Sequence, residues 1–209
     1  MIVLYDLINV FLLIILILFL NKKNYLNNNI SIFLILTCFI PFFWNDFLIS
    51  RHYFPDQRNY FDLVKSIRNL EWPTYSTFNI LYGYLNAFSP IPFLERVNSL
   101  GYVNKLYFII FLCFIYNNYF FKNKLILFIL PLYPSLIIYS SMALRETFIV
   151  INMILIFIFL INKNYISLIL SLIIFYYLKV YYFIILLPII ISYLIYFNLN
   201  IIINTNIRV

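Results

Sequence analysis

The chain has 209 residues, of which 65% are apolar and 10% charged, with 14 Lys and Arg against 7 Asp and Glu. A mean hydropathy of +0.97 excludes a water-soluble globular domain and points to an all-α, polytopic membrane protein. With two glycines, one histidine (His52) and two cysteines, neither a Gly-rich phosphate loop nor a His/Cys metal cluster can be assembled, so no cofactor, metal or nucleic-acid partner is expected.

A hydrocarbon core about 30 Å thick needs roughly 17–25 apolar residues in helical form. Runs of that character occupy residues 1–20, 30–49, 105–121, 125–144, 147–161, 166–178 and 180–197, some of them short, and predict a bundle of about seven spans. Cys38 and Cys113 lie inside such runs and read as lipid-face or packing residues. The short connections carry Lys22, Lys23, Lys122, Lys124 and Lys163, which places them in the cytoplasm, the amino terminus outside and the carboxyl terminus with Arg208 inside. Because the basic residues follow the first run, that run reads as a retained anchor and not a cleaved signal. On this topology Asp6, Asp46, Asp56, Asp62, Glu71, Glu95 and Glu146 all fall on or near the outer side. Residues 78–94 are read as re-entrant or interfacial, since a further crossing there would turn the lysine loops outward. The whole chain, 1–209, is then one integral membrane domain with an outer loop at 50–104.

Within that loop, "RHYFPDQRNYFDLVKSIRNLEWP" has helical periodicity. Tyr60, Leu63, Val64, Ile67 and Leu70 recur at spacings of three and four with Arg58, Asp62, Lys65 and Arg68 mostly opposite, which predicts an amphipathic helix lying on the outer membrane surface. Asp62 has Arg58 and Lys65 at helical spacing and reads as part of a solvated ion-paired face. Asp56 follows Pro55 at the helix start, where it serves either as an N-cap or as an acid or base in a pocket with Gln57 and Tyr60 beside it. His52 reads as an interfacial side chain.

"SSMALRETF" interrupts two greasy runs with Arg145 and Glu146 side by side. Neighbours on a helix point about 100° apart, so the two do not simply neutralise each other. One reading makes them a turn at the headgroup level; the other places them on a substrate path, because charges at membrane depth are costly. Lys179 interrupts a third run at the same predicted face, so Arg145 and Lys179 can converge on one anion, and an outward-facing anion at a membrane surface is a lipid phosphate or diphosphate. With Asp56 or Glu146 as acid or base, these are the elements of glycosyl transfer from a polyprenyl diphosphate, with cations in place of a metal.

The segment "PDQRNYFDLVKSIR" resembles the Asp-x-x-x-Tyr outer-loop element of bacterial polysaccharide repeat-unit polymerases of the Wzy and EpsG-like kind. "YPSLIIYSSMALRETF" is similar to their Pro-Ser … Tyr-Ser … Leu-Arg-acid element, and "YYLKVYYFIILLP" to a later Leu-Arg-x-Tyr segment, with Lys179 where arginine is commoner. The resemblance runs from about Arg51 to Pro188. It implies a multi-pass enzyme of the bacterial inner membrane that joins polyprenyl-diphosphate-linked oligosaccharide repeats on the outer face, in O-antigen, capsule or exopolysaccharide synthesis, beside other polysaccharide assembly proteins. The expected roles are diphosphate binding by Arg145 and Lys179, acid or base work by Asp56 or Glu146, and sugar contacts by Arg51, Gln57 and Tyr60. Those polymerases usually have more spans, and the EpsG-like branch often carries a histidine near the position of Leu178, so no histidine mechanism carries over. The alternatives are a transporter or flippase for the same lipid-linked glycan, which needs the cations but no base, and a truncated, non-catalytic membrane protein.

Overall fold

The computed structural model of the chain describes residues 2–44, 56–71, 77–117 and 130–206. Among them all regular structure is helical: α1 (Ile2–Lys22), α2 (Asn28–Thr37), α3 (Ile40–Trp44), α4 (Asp56–Arg68), α5 (Thr77–Ala87), α6 (Val97–Asn117), α7 (Pro134–Tyr139), α8 (Glu146–Ile161), α9 (Tyr165–Leu178) and α10 (Val180–Asn206). The chain divides into two compact units, Met1–Ile151 and Asn152–Val209.

Two described helices are long and apolar enough to cross a membrane, at Leu4–Lys22 and Val97–Asn117. The expected count of about seven is thus met only in part: α8 at 16 residues and α9 at 14 reach about 24 and 21 Å. In the first unit α1 packs against α6 and α2. Ser99 donates to Asp6 near the amino ends of α6 and α1, and the Asn117 amide donates to the Tyr25 carbonyl at the far end, so the two long helices run side by side in the same direction. Val10, Leu13 and Ile17 of α1 are buried while Leu4, Phe11, Ile15 and Leu18 are exposed, so an apolar face is left on the outside of the unit, as on a lipid-facing helix. Lys22 and Lys23 lie at the end opposite Asp6.

Several sequence boundaries are corrected. The run 30–49 is not one helix: α2 ends at Thr37, whose hydroxyl donates to the Leu34 carbonyl, and α3 restarts around Pro41, which has no N–H to continue the ladder. The run 105–121 begins eight residues early, at Val97, because Lys105 is not an end marker but a fully buried side chain with a partner inside the unit. The run 125–144 is broken: Tyr133 is non-helical before Pro134, and the helix ends again at Tyr139.

The segment read as re-entrant or interfacial contains α5, whose 11 residues span about 16 Å and cannot cross a bilayer alone. The expected surface helix is α4, but its apolar face does not lie on lipid. Tyr60, Leu63, Val64 and Ile67 are buried against α5 and α6, because a protein groove is available to cover them. Gly83 makes this approach possible: a Cβ there would come within 2.8 Å of Leu63 and Ile67.

Candidate functional site

Residues 140–145 join α7 to α8 without regular structure beyond turns. Irregular backbone in so apolar a setting must have its polar groups satisfied by protein, and α6 supplies most of the partners. The Asn104 amide donates to both the Met142 and Leu144 carbonyls, and Lys105 Nζ donates to Ser140 Oγ at 3.0 Å. Gly101 lets the loop sit directly on the helix, since a Cβ there would stand 2.3 Å from the Ser141 carbonyl oxygen. From α4, Gln57 Oε1 accepts from the Ala143 amide at 3.2 Å. Gly101, Asn104 and Lys105 lie four to eight residues into α6, so the loop rests about 6–12 Å from that helix's amino end.

The loop delivers Arg145 and Glu146 to the side chains of α4 and α5. Arg145 Nη1 donates to Asn79 Oδ1 at 2.9 Å, while its Nε is buried with no partner. Glu146 opens the first turn of α8, a position favourable for a carboxylate, and its Oε2 is likewise buried and unpartnered. Thr147 is fully buried with an unpartnered hydroxyl. The Tyr60 ring packs edge-on against Tyr82 at 4.7 Å, and Tyr82 packs against Phe148 at 5.5 Å. The Tyr82 hydroxyl lies beside the Asn86 and Asn104 amides, close enough to feel them but without a hydrogen bond of good geometry.

Burial pushes the Tyr60 phenol up to about 12; the Arg145 guanidinium opposes that shift, and Glu146 and Asp56 reinforce it. Burial likewise raises Tyr82 well above the usual tyrosine range. Tyr60 therefore remains a phenol at neutral pH, able to donate a hydrogen bond but unable to serve as a ready base.

The residues expected at the site are distributed as follows. Asp56, Gln57 and Tyr60 of α4 and Arg145 and Glu146 of the loop share one neighbourhood, although nearly 90 residues separate the two segments in sequence. Asp56 is exposed, at the first residue of α4. Arg51 and His52 lie outside the described residues. Lys179 belongs to the second unit, as an extended residue between α9 and α10 with its ammonium 5.5 Å from the Tyr182 ring centre. Among the described residues no group of three His, Cys, Asp or Glu could hold a metal.

Sequence reasoning missed Asn79, Tyr82, Asn86, Asn104 and Lys105. Two signals were available: Asn79, Tyr82 and Asn86 recur at helical spacing within an otherwise apolar helix, and the Asn104-Lys105 pair stands deep in a run that needs neither for capping. No family model, curated protein or solved structure matches the chain.

Proposed function

We propose that the chain is a multi-pass protein of the bacterial inner membrane that polymerises polyprenyl-diphosphate-linked oligosaccharides on the outer face. The observation that carries the reading is the meeting of Arg145, Glu146, Asp56 and Tyr60 around a buried, irregular loop. Arg145 supplies the cation for a departing diphosphate. Asp56 or Glu146 takes the proton from the acceptor hydroxyl as it attacks the anomeric carbon, and the diphosphate leaves with the bonding electrons. Tyr60 donates to a sugar oxygen. The arrangement of α1 supports the outward placement, because Lys22 and Lys23 stand at the end opposite Asp6, the end expected to face out.

A second reading has its own support. A helix broken around a buried loop is a recurrent device of secondary transporters, and a transporter or flippase for the same lipid-linked glycan would use Arg145 without needing a base. The purified chain in proteoliposomes, supplied with a synthetic polyprenyl-diphosphate oligosaccharide, separates the two. Polymerisation lengthens the glycan into a ladder and releases polyprenyl diphosphate; transport moves the substrate between leaflets at unchanged length. Neither product would overturn both readings.

A further inference from the structure

The structure leaves two large apolar side chains fully displayed at one end of the α4–α5 pair. Leu70 is 94% exposed and Phe88 80% exposed. Neither is displayed through looseness. After α4, the Glu71 amide donates to the Ser66 carbonyl and the Leu70 amide to Ile67, which is a Schellman cap with Leu70 in the left-handed position at φ 61°. Asn24 and Lys163 fill the same position in the caps after α1 and α8, and there the residue is polar. A leucine in left-handed backbone costs about 1 kcal/mol relative to glycine, and exposing its side chain to water adds no compensation. Phe88 is fixed just as firmly: the Arg68 guanidinium donates to the carbonyls of Ala87, Ser89, Ile91 and Pro92, which brackets it on both sides. Leu70 and Phe88 rim a groove of about 390 Å³ floored by Ile67, Tyr84 and Ala87.

The position of this groove identifies what covers it. The segment that carries Phe88 continues to Phe93, which stacks on Tyr5 of α1 at 4.7 Å and whose carbonyl accepts from Asn9. It ends at Arg96, which faces Asp6 at 3.8 Å and is followed directly by α6. The segment leading from the groove to α6 thus runs past the amino-terminal part of α1, which puts the groove toward the end of the unit where both potential spans begin. A phenylalanine and a leucine beside Tyr84, Arg68 and Glu71, which line the same groove, form an interfacial composition of apolar, aromatic and charged groups.

We propose that Leu70 and Phe88 form a lipid-inserting wedge that seats the α4–α5 pair in the headgroup–acyl boundary of the bilayer crossed by α1 and α6. This rests on the membrane-spanning reading of those two helices and is independent of the glycan chemistry. The apolar face of α4 is occupied by protein, so the wedge and not the helix face makes the lipid contact, and the strained backbone at Leu70 is offset when its side chain enters lipid.

The test uses the full chain with Cys38→Ala and Cys113→Ala, reconstituted in phosphatidylcholine nanodiscs. An environment-sensitive nitrobenzoxadiazole label is placed at Leu70→Cys, at Phe88→Cys, or at Asp62→Cys on the exposed face of α4. The wedge predicts blue-shifted emission at 70 and 88, quenched by lipids spin-labelled near the headgroup, with 62 unshifted and quenched by aqueous iodide. Iodide quenching at 70 and 88 equal to that at 62 would overturn the proposal. So would a blue shift without lipid quenching, which would mean that protein, such as a second copy of the chain, covers the groove. Leu70→Gly guards against a labelling artefact: it keeps the cap, should melt no lower than the parent, and should weaken lipid quenching at 88. Undiminished quenching at 88 in that variant would count against a joint wedge.

Discussion

The two compact units of this chain bury different things. The first encloses Asp6, Asn9, Gln57, Asn86, Asn98, Ser99, Asn104, Lys105, Ser140, Ser141 and Thr147, whereas the described buried polar residues of the second are Asn152 and Ser171, joined by one hydrogen bond of 2.8 Å. The second unit is built almost entirely of helices, whose backbone largely satisfies itself and asks little of the side chains beyond the Asn164 cap of α9 and the Asn152 bond. The first contains the loop at 140–145 and the long irregular approach to α6, and polar side chains donate to the backbone of both, Asn104 to the loop and Asn9 and Arg68 to the approach. In a chain this apolar, buried polar residues mark where the helix is interrupted, and the interruptions are where charged groups are presented.

That contrast can be broken most severely at Asn104. Asn104→Leu removes the donor to two buried loop carbonyls and should cost about 1–3 kcal/mol per carbonyl left unsatisfied. Asn152→Leu in the second unit should cost about 1 kcal/mol or less, because the Ser171 carbonyl it serves lies within α9 and can still accept its helical partner. Thermal unfolding in detergent compares the two, and equal losses would erase the distinction.

The two glycines sharpen the point at somewhat smaller scale. At Gly101 an added methyl meets loop backbone, which cannot move without breaking the Asn104 bonds, whereas at Gly83 it meets the ends of Leu63 and Ile67, which can change rotamer. Gly101→Ala should therefore destabilise by on the order of 2–3 kcal/mol and Gly83→Ala by about 1 kcal/mol, both read from melting temperature.

Lys105 offers a reversed sign. It is fully buried, its hydrogen bond goes to a neutral hydroxyl, and the described ion pair of the unit, Arg96 with Asp6, does not involve it. Lys105→Met keeps the length of the side chain and removes a charge from an apolar interior, so thermal stability should hold or rise while glycan lengthening falls. A plain stability loss would make the lysine structural.

The smallest effect is at Tyr60. With its phenol raised to about 12 in the folded state, the unfolded chain releases this proton first, so stability contributed by the protonated phenol is complete below about pH 10 and is lost between about pH 10 and 12. Absorbance of the tyrosinate band, compared between the parent and Tyr60→Phe, should show one fewer late-titrating tyrosine in the variant.

Much of this was legible in the sequence, and the remainder was hidden for identifiable reasons. The apolar runs located most helices, and the periodicity of Tyr60, Leu63, Val64 and Ile67 located α4 and its buried face. What covers that face was not legible, because an apolar stripe reads the same against lipid or protein. Arg145 and Glu146 stood out as charges in a greasy run, but the residues that hold their loop did not: Asn104 and Lys105 looked like the edge of a span, since a charge is expected at a membrane boundary unless a distant partner such as Ser140 is known. The broken helix could have been anticipated from Pro134, which disfavours helical backbone at Tyr133 and has no N–H to continue the ladder.

The most direct test of the account is the comparison of Arg145→Lys with Arg145→Ala in cells that carry the chain, at matched levels in the membrane. A turn arginine needs only a long cation at the headgroup level, which lysine supplies, whereas a diphosphate held by the planar fork loses its bidentate contact with either substitution. Losing that contact should cost about 2–3 kcal/mol, or roughly 30- to 150-fold in rate, so both variants should collapse the surface glycan ladder toward single repeats. A normal ladder with Arg145→Lys would contradict the account, and Arg145 would then be a residue of the turn alone.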